Sequence, residues 1–198
     1  TGHTVFQYAE EIFNLGAELA SRVKSGRVIV PALLTVGVVN SIPKLVAARI
    51  LQPVFDSDMP IRLVCIEGGL EPLLGRLAVH RLDLILCDRP IPSGLSVKAF
   101  SHALGASDIS LFCPLALSRR YKKNFPQCLN KAPMLLPTLD NPIRRPLDDW
   151  FEQHSVSPTL IAEFEDSALM KAFGEAGNGI FPSPTAISAE VEQMYRVR

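Results

Sequence analysis

Apolar side chains in the first 25 positions fall at helical spacing. Val5, Tyr8, Ile12, Leu15 and Leu19 recur at alternating intervals of three and four, the a/d pattern of a coiled-coil seam. This predicts one long helix over residues 4–24, with Gly26 placed to end it. The pattern then changes to short apolar runs separated by amphipathic stretches. Val28–Val30 and Leu33–Val38 predict strand, and Ser41 is placed to N-cap a helix with Pro43 in its first turn. In that helix Leu45, Val46 and Ile50 face inward, and Pro53 ends or kinks it. Ile61–Ile66 is a second strand, residues 72–80 a helix with Leu73, Leu74 and Leu77 on one face, and Leu82–Cys87 a third strand. Near-continuous apolar strands separated by helices imply parallel pairing, covered on both faces.

A Pro/Gly-rich break follows over residues 88–94, and the alternation resumes beyond it. Ile109–Cys113 and Met134–Leu136 predict strands, with an irregular segment, residues 114–131, between them. Residues 144–154 predict a helix and Thr159–Phe164 a strand. Asp166 is placed to N-cap a helix over residues 167–176, with Leu169, Ala172, Phe173 and Ala176 inward and Gly177 at C′. A short strand at residues 179–181 is stopped by Pro182 and Pro184; a helix over 185–193 and a strand over 194–197 complete the chain. Two βαβ halves joined across a break predict an α/β protein of two lobes with a cleft between them.

Composition narrows the function classes. Twenty basic residues balance twenty acidic ones, which argues against a nucleic-acid face within these residues. The basic run at residues 119–123 is read as a solvated loop. The longest charge-free stretch, residues 28–43, is too short to span a bilayer and is interrupted by Pro31, Gly37 and Asn40. No basic-plus-apolar signal opens the chain. Cys65, Cys87, Cys113 and Cys128 form no CxxC pair, so a reduced, cytoplasmic setting is expected.

No catalytic machinery assembles from the sequence. There is no GxSxG elbow, no phosphate-binding glycine loop and no His/Cys metal spacing. We therefore expect no enzyme, no cofactor and no metal centre. Polar residues do gather at strand-to-helix turns: Asn40 and Ser41, then Glu67, then Thr138, Asp140 and Asn141 ahead of the helix that Arg144 opens, and finally Glu165, Asp166 and Ser167. In open α/β sheets such turns line the crevice where ligands bind. Helix N-termini there favour anions, whereas carboxylates and hydroxyls can supply oxygen ligands to a cation. Asn40, Ser41, Glu67, Thr138, Asp140, Arg144, Asp166 and Ser167 are the candidate effector-binding set, with ordinary capping as the competing reading.

Several segments, taken in order, resemble the regulatory half of LysR-type transcriptional regulators. They are the opening helix, Pro60–Leu63 with Ile66-Glu67-Gly68, and Leu73…Leu77…His80-Arg81-Leu82-Asp83-Leu84-Ile85, where His-Arg replaces the usual Gly. Arg145…Leu147-Asp148-Asp149-Trp150-Phe151 and Glu165…Leu169-Met170…Ala176-Gly177-Asn178-Gly179-Ile180 continue the resemblance across the chain. Residues 80–91 and 166–174 are similar to the sodium/proton-antiporter activator branch of that family.

The resemblance implies two Rossmann-like lobes of the type II periplasmic-binding-protein kind, joined by a hinge and preceded by a linker helix. On that frame residues 1–25 are the linker or dimerisation helix. Residues 26–92 together with 182–198 form lobe I, and 93–181 form lobe II. The family's N-terminal winged helix-turn-helix is absent from these residues. What is implied is a cytoplasmic activator, dimeric or tetrameric, that contacts DNA only through that missing domain and no membrane. Its cleft senses a small molecule or a monovalent cation, sodium or lithium. A two-lobe solute-binding receptor is the competing class; it would need an export signal.

Overall fold

In a computed structural model, the chain is described at residues 2–25, 31–91 and 97–198. Helix α1 (Gly2–Ser25) coincides with the predicted first helix. Its seam residues Val5, Tyr8, Ile12, Leu15 and Leu19 stand exposed, joined by Phe6, Phe13 and Val23. The predicted helix end at Gly26, the strand at Val28–Val30 and Pro92, Ser93 and Gly94 of the break lie outside the described residues.

The first lobe is built on β1 (Ala32–Val39), with β2 (Ile61–Gly68) on one side and β3 (Leu84–Leu86) on the other, both parallel to it. Helices α2 (Lys44–Phe55) and α3 (Leu70–Ala78) make the crossovers. Val36, Val38 and Val39 of the central strand are buried with Leu51, Leu73 and Leu74, which is why this strand is apolar on both faces. Three details differ from expectation. Helix α2 begins at Lys44 behind Pro43 with no side-chain cap, so Ser41 does not N-cap it. Pro53 sits inside α2, in the last turn, where the lost hydrogen bond disrupts little. Ala47 and Leu51 are the buried residues of that helix, and Ile50 is exposed.

In the second lobe β6 (Thr159–Phe164) runs parallel to β5 (Pro133–Pro137), and β7 (Phe181–Pro184) pairs antiparallel with β4 (Ile109–Phe112). Residue Ile180 joins the two pairs: its N–H donates to Pro133 O and its carbonyl accepts from Leu135 N, each at 2.8 Å. The expected irregular segment contains α4 (Leu115–Tyr121) and a 3-10 turn, Gln127–Leu129. Helices α5 (Arg144–Gln153), α6 (Ser167–Glu175) and α7 (Ser188–Tyr195) follow, α7 behind the 3-10 turn Thr185–Ile187. Gly177 has φ of 87°, the left-handed conformation of a helix-ending glycine. The strand expected at 194–197 is a single bridge between Val197 and Pro114, and of the two prolines expected to stop β7, Pro182 lies within the strand and Pro184 ends it.

Two further corrections bear on the site. The buried face of α6 is Met170, Lys171 and Gly174, whereas Leu169 and Phe173 are exposed. Gly174 explains the rotation: a Cβ there would lie 2.0 Å from Phe181 Cδ1, so helix and strand meet at the glycine. Residues 182–198, expected with the first lobe, pack in the second. Ile187, Val191 and Val197 share a core with Phe112, Met170 and Phe181, and Cys113 and Arg198 exchange backbone hydrogen bonds. The lobes meet where Leu45 and Val46 of α2 pack against that core. Beside them Arg49 donates to the Ala186 carbonyl and pairs with Glu190.

Candidate functional site

The turn after β1 leads into α2 without a side-chain cap. Asn40, exposed, donates its N–H to Gly68 O at 3.1 Å, tying this turn to the end of β2. The hydroxyl of Ser41 is buried and has no hydrogen-bond partner. Glu67, at the end of β2, is engaged by Lys44 in a half-exposed ion pair.

In the second lobe the turn after β5 is held by backbone bonds, Thr138 N to Phe164 O and Asn141 N to Thr138 O, each at 3.0 Å. Asn141 Oδ1 accepts from Ile143 N at 3.1 Å and so braces the start of α5. The turn after β6 ends in Asp166, whose Oδ1 accepts from Ala168 N at 2.7 Å and Leu169 N at 2.8 Å. The Leu169 amide is the main influence holding the Asp166 carboxyl below the usual carboxylate range; partial burial opposes it, and Ala168, Lys44 and Lys171 reinforce it.

These turns converge on a cavity between the lobes. Ser41 and Pro43 line it from the first lobe; Asn141, Ser167, Lys171 and Ser183 line it from the second. Its volume is about 40 Å³, room for a few waters or one small ion. Ser183, in β7, is 1% exposed, and its hydroxyl, like that of Ser41, has no partner. Lys171 is 4% exposed and donates one long hydrogen bond, 3.5 Å, to Ser167 Oγ. Burial pushes the Lys171 pKa down, against a weaker opposing pull from Asp166. Glu165 also borders the cavity, from an exposed position. A buried ammonium and two unpartnered buried hydroxyls are costly to leave unanswered, and together they suit a small polar guest.

Of the eight expected residues, the structure brings Ser41 and Ser167 to this cavity. Asp166 stands beside it as a cap, and Glu67 is paired with Lys44. Asn40 and Asp140 are exposed, Thr138 is partly buried, and none of the three lines the cavity. Arg144 belongs elsewhere. It is buried on the second lobe, donating to Pro137 O and Asp148 Oδ2 at 2.8 Å and to Glu163. Burial alone would lower its pKa, but the bonds to Glu163 and Asp148 outweigh burial and raise it. It borders a roomier hollow of about 330 Å³ whose lining comes from the second lobe alone. Asn141 and Glu165, read at the turns but outside the candidate set, line the cavity too, and Lys171 and Ser183 are the residues that the turn pattern leaves out. Lys171 is hidden by the rotated face of α6, and Ser183 by the two prolines flanking it.

Among the described residues no group of His, Cys, Asp and Glu is placed to hold a metal. No helix there is long and apolar enough to cross a membrane.

Residues 31–194 match the family described as the LysR substrate binding domain. The chain is 34% identical over 184 residues to the transcriptional activator protein NhaR of Escherichia coli K12, a match covering 93% of this chain and 60% of that protein. Among solved structures, the PA01 protein of Pseudomonas aeruginosa superposes with a TM-score of 0.61 at 15% identity, covering 93% of this chain and 63% of that one. The effector-binding domain of QuiR in complex with shikimate gives 0.57 at 13% identity, covering 85% and 79%. Likeness at such low identity speaks to the fold, and the site must speak for the function.

Proposed function

Because this chain belongs to the LysR substrate-binding-domain family, we propose that it is the effector-sensing part of a transcription regulator whose ligand is held between the two lobes. The chain spans 60% of the length of the curated relative it matches, so the activity of the whole regulator is part of the proposal. On this reading DNA is contacted through a separate helix-turn-helix domain, and α1 joins copies into a dimer or tetramer in the cytoplasm. By analogy with NhaR, the regulator is an activator. Its effector, on this reading, is a small molecule or a monovalent cation.

One observation carries the reading: the unpartnered hydroxyls of Ser41 and Ser183 reach the same cavity from opposite lobes. A guest bonded to both favours the closed arrangement over any in which the lobes part, and that differential affinity is what a switch requires.

Thermal unfolding of the chain against sodium chloride tests the location, with ionic strength held constant by a bulky choline sulfonate. A saturable rise in Tm, weakened by Ser41→Ala and by Ser183→Ala alike, is the expected result. A saturable rise indifferent to both substitutions contradicts it.

A further inference from the structure

The cleft also carries information on the charge of its guest, an inference that rests on the reading of the cleft as the effector site. We propose that the guest is a compact anion, gripped by Lys171 together with the hydroxyls of Ser41 and Ser183. Hydroxyls alone serve either sign, since their oxygens can accept from a donor or coordinate a cation. Lys171 decides between the two. Its ammonium has three donors and no acceptor, and the structure gives it one long bond to Ser167 Oγ at 3.5 Å.

Asp166 does not answer that charge with an ion pair. Its Oδ1 is taken by the Ala168 and Leu169 amides, and it acts on Lys171 through space only. Glu165 borders the cavity from an exposed position, where water screens it. Lys171 is 4% exposed, so it is the charge least shielded from whatever enters. A sodium or lithium ion placed among these groups meets a buried like charge. An anion meets a cation, two free hydroxyls and the uncapped start of α2 behind Pro43. Burial keeps the neutral form of Lys171 more accessible than usual in the empty cleft; a bound anion restores the charged form.

Three anions probe the shared chemistry: chloride, acetate and inorganic phosphate. Each is titrated against the Tm of the chain at fixed sodium and fixed ionic strength. In a second arm, sodium is replaced by lithium, potassium or choline with the anion held constant. Saturable stabilisation by at least one anion is expected, with no dependence on the cation. Preference for acetate points to the carboxylate of an organic acid, and preference for chloride or phosphate to an inorganic ion. Lys171→Met should weaken the anion response at least about tenfold, as should Lys171→Gln, while Lys171→Arg keeps most of it. If Lys171→Met does not fold, the Gln and Arg variants carry the comparison.

A response that follows sodium or lithium and survives Lys171→Gln overturns the anion proposal. Its loss in Ser41→Ala and Ser183→Ala would still leave the cleft as the binding site. Absence of a saturable response to all three anions also overturns the proposal. A response to either ion that ignores Ser41, Ser183 and Lys171 together overturns the cleft reading itself.

Discussion

At the scale of single residues, burial separates side chains that hold the fold from those left free to bind. Asp166 is a cap. Asp166→Ala is expected to cost about 1 kcal/mol in urea unfolding while leaving the ligand response within about twofold. Its carboxyl sits below the usual range in the folded chain. The stability it contributes is therefore present above the ordinary carboxylate pKa and lost as pH falls through the folded value. Lys171 costs stability where Asp166 adds it, although stability rises with pH through both titrations. Its pKa is lowered in the fold, so its cost is felt at neutral pH and relieved as pH rises towards the ordinary lysine value. Subtracting the stability profile of Lys171→Met from that of the parent isolates this rise from the alkaline titration of other groups. His80 adopts φ of 56° where the family pattern favours glycine, and such a backbone is costly for any side chain. His80→Gly should gain up to about 1 kcal/mol in urea unfolding, after the added freedom of the unfolded chain is deducted.

At the scale of elements, apolar periodicity located β2, α3, β5, α5, β6 and α6 to within a few residues, because each has a strong one-faced or two-faced pattern. It misplaced the buried face of α6, since a run such as Leu169-Met170-Lys171-Ala172-Phe173 offers two phases. Contact between Gly174 and the Phe181 ring selects the phase, and this contact is tertiary, outside the reach of local pattern. The charged residue Lys171 was thereby hidden from the candidate set, while Arg144 entered it although Glu163 and Asp148 already occupy it. Ser41 and Ser167 were legible because strand-to-helix turns in this class of fold face the crevice. Gly174→Ala would force the methyl into the Phe181 ring; a loss of about 1–3 kcal/mol in denaturant unfolding is expected. Helix α1 offers an exposed seam of Val5, Tyr8, Ile12, Leu15 and Leu19 suited to a second copy of the same helix. Ile12→Glu combined with Leu19→Glu is expected to shift sedimentation towards monomer, with the far-UV signature of the lobes retained; unchanged sedimentation would remove α1 from the interface.

At the scale of the whole molecule, the lobes are joined by apolar packing of Leu45 and Val46 and by the Arg49–Glu190 pair. Both side chains of that pair are partly exposed, so it is worth about 1 kcal/mol or less. A contact of that size is compatible with the lobe movement that the proposed switch requires. The family match replaces the competing class of solute-binding receptor, which shares the two-lobe plan but would put the chain to a different use. The lobe assignment of residues 182–198 was not legible, because it depends on β7 pairing with β4 across some seventy residues of chain.

The proposed guest is a small anion that sits between the lobes, bonded to both. Anomalous diffraction from crystals of the chain soaked in sodium bromide addresses it directly. A bromide peak is expected in the cleft within hydrogen-bonding reach of Lys171 Nζ, Ser41 Oγ and Ser183 Oγ. Bromide peaks on the molecular surface alongside a cleft filled only with water would contradict it.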